Sequence, residues 1–152
     1  MPPLPITPDA LFSVGSGLAM SGWLALALSP AGRPWAPAVR RYAGRVVPLL
    51  LAVAYVALFA SNGMGDGGYD SMVAVQRLLA QPALLVAGWL HYLAFDLFVG
   101  SWIAEHAGAL GLPHWLVLPL LALTFLFGPA GLLAFALLRK FWRQRPAQAL
   151  AL

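Results

Sequence analysis

The chain has 152 residues, 61% hydrophobic and 9% charged, with no cysteine and a formal net charge of +4; its mean hydropathy is +0.81. A soluble domain is about 45–50% apolar and about 25% charged, so this composition excludes an ordinary soluble globule, a disordered chain and a coiled coil, and fits a single integral membrane domain over residues 1–152. Disulfides and thiolate metal sites are excluded, and the basic balance is no nucleic-acid footprint: eight of nine Lys and Arg residues fall in two clusters beside apolar runs, where membrane flanks carry them.

The expected fold is all-α, a polytopic bundle of four transmembrane helices. A span needs about 20 apolar residues. The first is predicted over 8–28, with Thr7 as N-cap, Pro8 in the first helical position and Asp9 facing the positive end of the dipole. Ser13, Gly17 and Ser21 form a small-residue stripe on it, a face for close helix packing and for a homo-oligomer contact. The basic residues Arg33, Arg40 and Arg41 then read as a loop before a second span over 45–61, which Asn62-Gly63 ends. Gly63-Met64-Gly65-Asp66-Gly67-Gly68 lacks the Lys-Ser/Thr ending of a phosphate loop. Asp66 and Asp70 could hold a hard cation, but a solvated loop is the simpler reading. Met72, Val75, Leu78 and Leu79 recur at helical spacing and predict a short interfacial helix over 71–80.

The third span is predicted over 82–104 and the fourth over 113–138, followed by a tail with Arg139, Lys140, Arg143 and Arg145. Pro119 and Pro129 each remove a backbone donor, so the fourth helix is expected to kink. Pro129 frees the carbonyl of Phe125, and Pro119 that of Trp115. Trp23, Trp35, Trp115 and Trp142 suit an aromatic belt. Pro2, Pro3 and Pro5, without a basic n-region, do not make a secretory signal. Four crossings put four Arg on one side and Arg77 plus four tail residues on the other, a near tie under the positive-inside rule. The flanks of the first helix favour an external N-terminus, and the tie also fits a segment that only partly crosses.

His91 and Asp96 lie near the midpoint of the third span. An Asp at a helix centre costs about 2.5–3.5 kcal/mol, against about 3–6 returned by the Leu, Ile, Val and Phe of that span. Such groups face a bundle interior and mark function, although a packing hydrogen bond would also hold Asp96. Five residues apart, His91 and Asp96 sit about 140° around the helix from each other. Either Asp96 meets a partner on another helix, or the two line different walls of one cavity. The expected cavity is lined by Trp89, Phe95, Gly100, Trp102, Thr124, Gly128 and Pro129. Glu105, His106 and His114 are a weak candidate metal set without the Glu-x-x-His spacing of a helical site; polar residues at a water interface explain them as well. No cofactor motif is present.

At residues 88–100, GWLHYLAFDLFVG, and 112–135, LPHWLVLPLLALTFLFGPAGLLAF, the chain resembles the neoxanthin-synthase-like family of small four-helix membrane proteins. Looser matches run from Leu11-Phe12 and Gly22-Trp23 to Arg139. The plant name of this family comes from an abscisic-acid-deficient mutant. The resemblance implies four transmembrane helices and, in plants, a part in making neoxanthin from violaxanthin in plastid membranes. That reaction opens an epoxide and removes a proton to leave an allene, which needs a general acid and a base. The matched motifs contain Asp96, His91 and His114. We assign Asp96 and His91 as the catalytic pair: Asp96 protonates or holds a polar end group and His91 moves the proton. The short N-terminal segment leaves no room for a transit peptide, so a bacterial plasma membrane is expected. Many bacteria make no violaxanthin, so the expected substrate is a carotenoid, another isoprenoid or a lipid. The rival readings are a small transporter with Asp96 as its proton or cation site and Gly128–Gly131 as its gate, and a non-catalytic factor that binds pigment or lipid.

Overall fold

The structure, a computed structural model, describes residues 7–143. Pro2, Pro3 and Pro5 at one end and Arg145 at the other lie outside them. Helix α1 spans Pro8–Ala27, α2 Ala36–Arg41, α3 Val47–Asn62, α4 Met72–Leu79, α5 Pro82–Ala109 and α6 His114–Arg143. A π-turn, Tyr42–Val46, joins α2 to α3. By length and composition alone, four helices could cross a membrane: α1, the continuous α2–α3 unit, α5 and α6. The chain is therefore an all-helical integral membrane protein.

Local chemistry sets the boundaries. The Thr7 hydroxyl accepts the Ala10 N–H at 3.3 Å and starts α1 as expected. The Ser71 hydroxyl accepts the Ala74 N–H at 3.1 Å and starts α4, a short helix with Met72, Val73 and Leu79 outward and Leu78 inward. The second span is corrected. It begins at Ala36 rather than Arg45. The arginines read as a loop, but Pro37 opens the helix and long guanidinium stems can lie along an apolar surface with their heads in water. Pro48 cannot donate to the Gly44 carbonyl. The ladder slips there to the wider spacing of the π-turn, with the Val47 N–H donating to the Tyr42 carbonyl. The third span runs past Ala104 to Ala109, where Gly111, at φ 66°, turns the chain.

Helix α5 is the centre, the most buried of the four long helices. It packs on α1, α3 and α6, while α3 and α6 do not touch. Close contact relies on small residues. A Cβ at Gly15 would overlap Leu90, and one at Gly22 would meet Leu97. Of the predicted stripe, Ser13 and Gly17 are exposed, whereas the Ser21 hydroxyl bonds to Tyr42 at 2.7 Å.

Helix α6 carries the expected kink, and it is a reversal. Phe127 has φ −145° and ψ 51° within an otherwise helical segment. A straight helix of this length would hold its ends about 45 Å apart. Instead the Trp142 indole donates to the Leu110 carbonyl at 3.2 Å, so the end of α6 returns to its beginning. Between those points Phe135 meets Trp102 edge-on at 5.6 Å, and Gly131 lies against the Thr124 backbone. The two arms, 114–126 and 128–143, form an antiparallel hairpin along the C-terminal half of α5. Each is about 20 Å long, half the length of α5.

Candidate functional site

The tip of the hairpin meets α5 at Asp96. A Cβ on Gly128 would overlap the Asp96 carboxylate, so the absent side chain is what lets the tip approach. One turn earlier on α5, the Tyr92 hydroxyl donates to the Phe125 carbonyl at 3.3 Å. That is the acceptor Pro129 leaves without its helical donor. Irregular backbone at membrane depth survives where protein satisfies it, and Tyr92 does so here. The Asp96 Oδ2 is buried with no hydrogen-bond partner among the described residues. Leaving a buried polar atom unpaired costs about 1–3 kcal/mol; the Tyr92 side chain, one turn earlier on α5, is a hydrogen-bonding neighbour of this carboxyl.

Because α6 turns back, the N-terminal half of α5 is uncovered beside α1. A cleft runs there. Its inner chamber, about 300 Å³, is lined by Met20, Trp23, Trp89, Tyr92, Asp96 and Phe125 among others. A second chamber of about 370 Å³ lies on the other side of Trp89, lined by Phe12, Leu85 and Asp9 among others. Trp89 is the wall between them. Its indole donates to the Ser16 hydroxyl at 2.9 Å, and its ring stacks on Phe12 and Tyr92 at 5.4 Å each. Trp23, expected in an interfacial belt, is buried in the core, resting on Gly100 and edge-on to Phe125 at 5.6 Å. The cleft is thus an aromatic slot with one carboxyl at its inner end.

The structure separates His91 from Asp96. His91 is exposed on the other side of α5, beside Tyr55 at 5.7 Å and Phe95 at 4.6 Å between ring centroids. Of the residues expected around one cavity, Trp89 lines the cleft and Gly128 backs Asp96. Phe95 points outward with His91, and Gly100 is covered by Trp23. Trp102 lies higher on α5 against His106 and Phe135. Thr124 is buried and donates to the Leu120 carbonyl at 2.7 Å, and Pro129 is exposed at the tip. The reversal explains these positions, since an unbroken helix would have stacked Thr124 and Gly128, four residues apart, on one face.

Glu105, His106 and His114 are not brought together. His106 Nδ1 bonds to the Trp102 carbonyl at 2.9 Å, His114 Nε2 donates to the Ala27 carbonyl at 2.8 Å, and Glu105 is exposed. Among the described residues no three metal-ligating side chains cluster. The cleft residues absent from the predicted set include Tyr92, Ser16, Met20, Trp23, Phe125 and Leu126. Tyr92 had a sequence signal, its four-residue spacing from Asp96. Its partner could be known only from the path of α6.

A family model described as ABA DEFICIENT 4-like matches residues 10–135. The chain belongs to that family. The matched region takes in the inner chamber, Asp96 and the hairpin tip, and it ends at Phe135, where the second arm meets Trp102. No curated protein and no solved structure matches the chain. Membership of the ABA DEFICIENT 4-like family agrees with the resemblance carried by residues 88–100 and 112–135.

Proposed function

We propose that this protein isomerises a carotenoid or another lipid-soluble isoprenoid inside the bilayer, with Asp96 exchanging the protons. The observation that carries the reading is a half-buried carboxyl whose Oδ2 is buried and unpaired among the described residues, at the inner end of an aromatic cleft. The inner chamber suits one end group, and the attached chain would reach the second chamber past the Trp89 ring. Family membership supports the substrate class.

The chemistry balances with one carboxyl. The protonated Asp96 gives its proton to an epoxide oxygen as the C–O bond opens. The resulting carboxylate takes a proton from the adjacent carbon as the new double bond forms. The product is an isomer, and Asp96 ends as it began. His91 has no place in this step, so it is not retained as the base. Tyr92 holds the hairpin tip and one wall of the chamber.

The test is pigment conversion by purified protein in lipid, monitored by absorption and chromatography. Asp96→Asn, which keeps size and the fit against Gly128, is expected to lose about 10²–10⁴-fold in rate, the range of acid–base catalysis. His91→Ala is expected to retain activity. Full activity in Asp96→Asn overturns the mechanism. A second reading, transport, is favoured by the broken helix beside an intramembrane carboxyl. It predicts pH-driven uptake into liposomes that Asp96→Asn abolishes. Stable binding of a polyene with neither turnover nor flux would instead assign a pigment-binding role.

A further inference from the structure

The opposite end of α5 carries a different kind of site. Where α2 and the π-turn pack on its last turns, a cavity of about 350 Å³ is lined by Arg40, Arg41, Arg45, Glu105, Phe98 and Trp102, with others. Three arginines and one glutamate contribute to its lining. No ion pair among the described residues occupies them. Arg41 and Arg45 are exposed, and the Arg40 backbone carbonyl is fixed by the Ser101 hydroxyl at 3.0 Å. That bond, and the close seat of Gly44 on Ser101, lock the π-turn against α5 and hold the arginines over the cavity. The deeper wall is apolar. Phe98 lies about two helical turns below Glu105 and is half exposed.

The cavity also stands at the basic end of the molecule. The returning arm of α6 brings Arg139 and Lys140 to the end that already holds Arg33, Arg40, Arg41 and Arg45. Asp9, Asp66 and Asp70 lie at the other end with Arg77. A basic end of a membrane protein faces an anionic leaflet, and basic pockets between helices take phospholipid head groups.

We propose that this cavity binds the head group of an anionic phospholipid. Arg41 and Arg45 hold its phosphate in fork-shaped hydrogen bonds. Glu105 accepts from head-group hydroxyls, and the first methylenes of the acyl chains lie on Phe98 and Trp102. A free phosphate would share the arginines and leave the apolar wall unused.

Protein in a neutral detergent is titrated with phosphatidylglycerol, phosphatidylcholine or inorganic phosphate, and bound ligand is read by native mass spectrometry. Phosphatidylglycerol is expected to be retained well above phosphatidylcholine and to resist millimolar inorganic phosphate. The variant R41Q/R45Q is expected to lose roughly thirtyfold in retention, about a factor of five per arginine. Equal retention of the two lipids, unchanged retention in the variant, or displacement by inorganic phosphate would overturn the proposal; the last would assign a free-phosphate site. If the variant does not elute as a folded species, the comparison of the two lipids on the native protein decides.

Discussion

Asp96 and Gly128 fit together with no room for a methyl group between them. Gly128→Ala is therefore expected to destabilise the protein by about 1–3 kcal/mol, the cost of overpacking, in thermal unfolding in detergent. Combining it with Asp96→Ala should recover part of that loss, because the methyl group then has space; contacting residues couple in this way. Simple additivity of the two would show that the tip does not rest on the carboxyl. Half of this residue-level picture is legible in the sequence. The span holding Asp96 is apolar enough to insert with an acid at its centre, and Pro129 must free the Phe125 carbonyl. The donor, Tyr92, is not legible, because it lies on another helix and nothing local selects it.

At the scale of the element, α6 shows why a kink is easier to foresee than its angle. Proline removes a donor wherever it stands, so Pro119 and Pro129 announce a disturbance. The reversal occurs at Phe127, whose ψ of 51° leaves the helical region, and it needs small residues where the returning arm touches its neighbours. Gly131 supplies one of them: a Cβ there would stand 2.6 Å from the Thr124 backbone. Gly131→Ala is expected to cost about 3 kcal/mol, the upper end of overpacking, since backbone cannot give way as a side chain can. Unfolding midpoints unchanged by this substitution would show the arms to be further apart. The π-turn has a similar history. Pro48 makes a slip necessary, whereas Ser101 on α5 accommodates it by bonding the Arg40 carbonyl.

For the whole molecule, the hairpin settles the distribution of charge. Counted as four crossings, the basic residues divide almost evenly. With α6 returning on itself, Arg139 and Lys140 join the arginines of the α1–α2 connection and α2, and the opposite end holds Asp9, Asp66, Asp70 and Arg77. Under the positive-inside rule the basic end is expected on the cytoplasmic side and the start of α1 on the opposite side. The chain has no cysteine, so single cysteines report position cleanly. Gly32→Cys, Ala109→Cys and Lys140→Cys are expected to react with a membrane-impermeant maleimide from one side, and Asp70→Cys from the other. Lys140→Cys reacting from the same side as Asp70→Cys would show α6 to cross.

The sequence by itself determined the solvent of this protein, its helical class, the capped starts of α1 and α4, and the place of an ionisable group at membrane depth. Those properties follow from composition, periodicity and local hydrogen bonding, which act within a few turns of chain. The tertiary structure decided which groups meet. It gave His91 and Asp96, already about 140° apart by helix geometry, separate surroundings, buried Trp23, folded α6 back on itself and opened the cleft beside α1. The physical reason is common to all four. In an apolar chain every helix face can be buried or left in lipid at similar cost, so hydropathy does not choose among partners. Close fit at Gly15, Gly22, Gly100, Gly128 and Gly131 does.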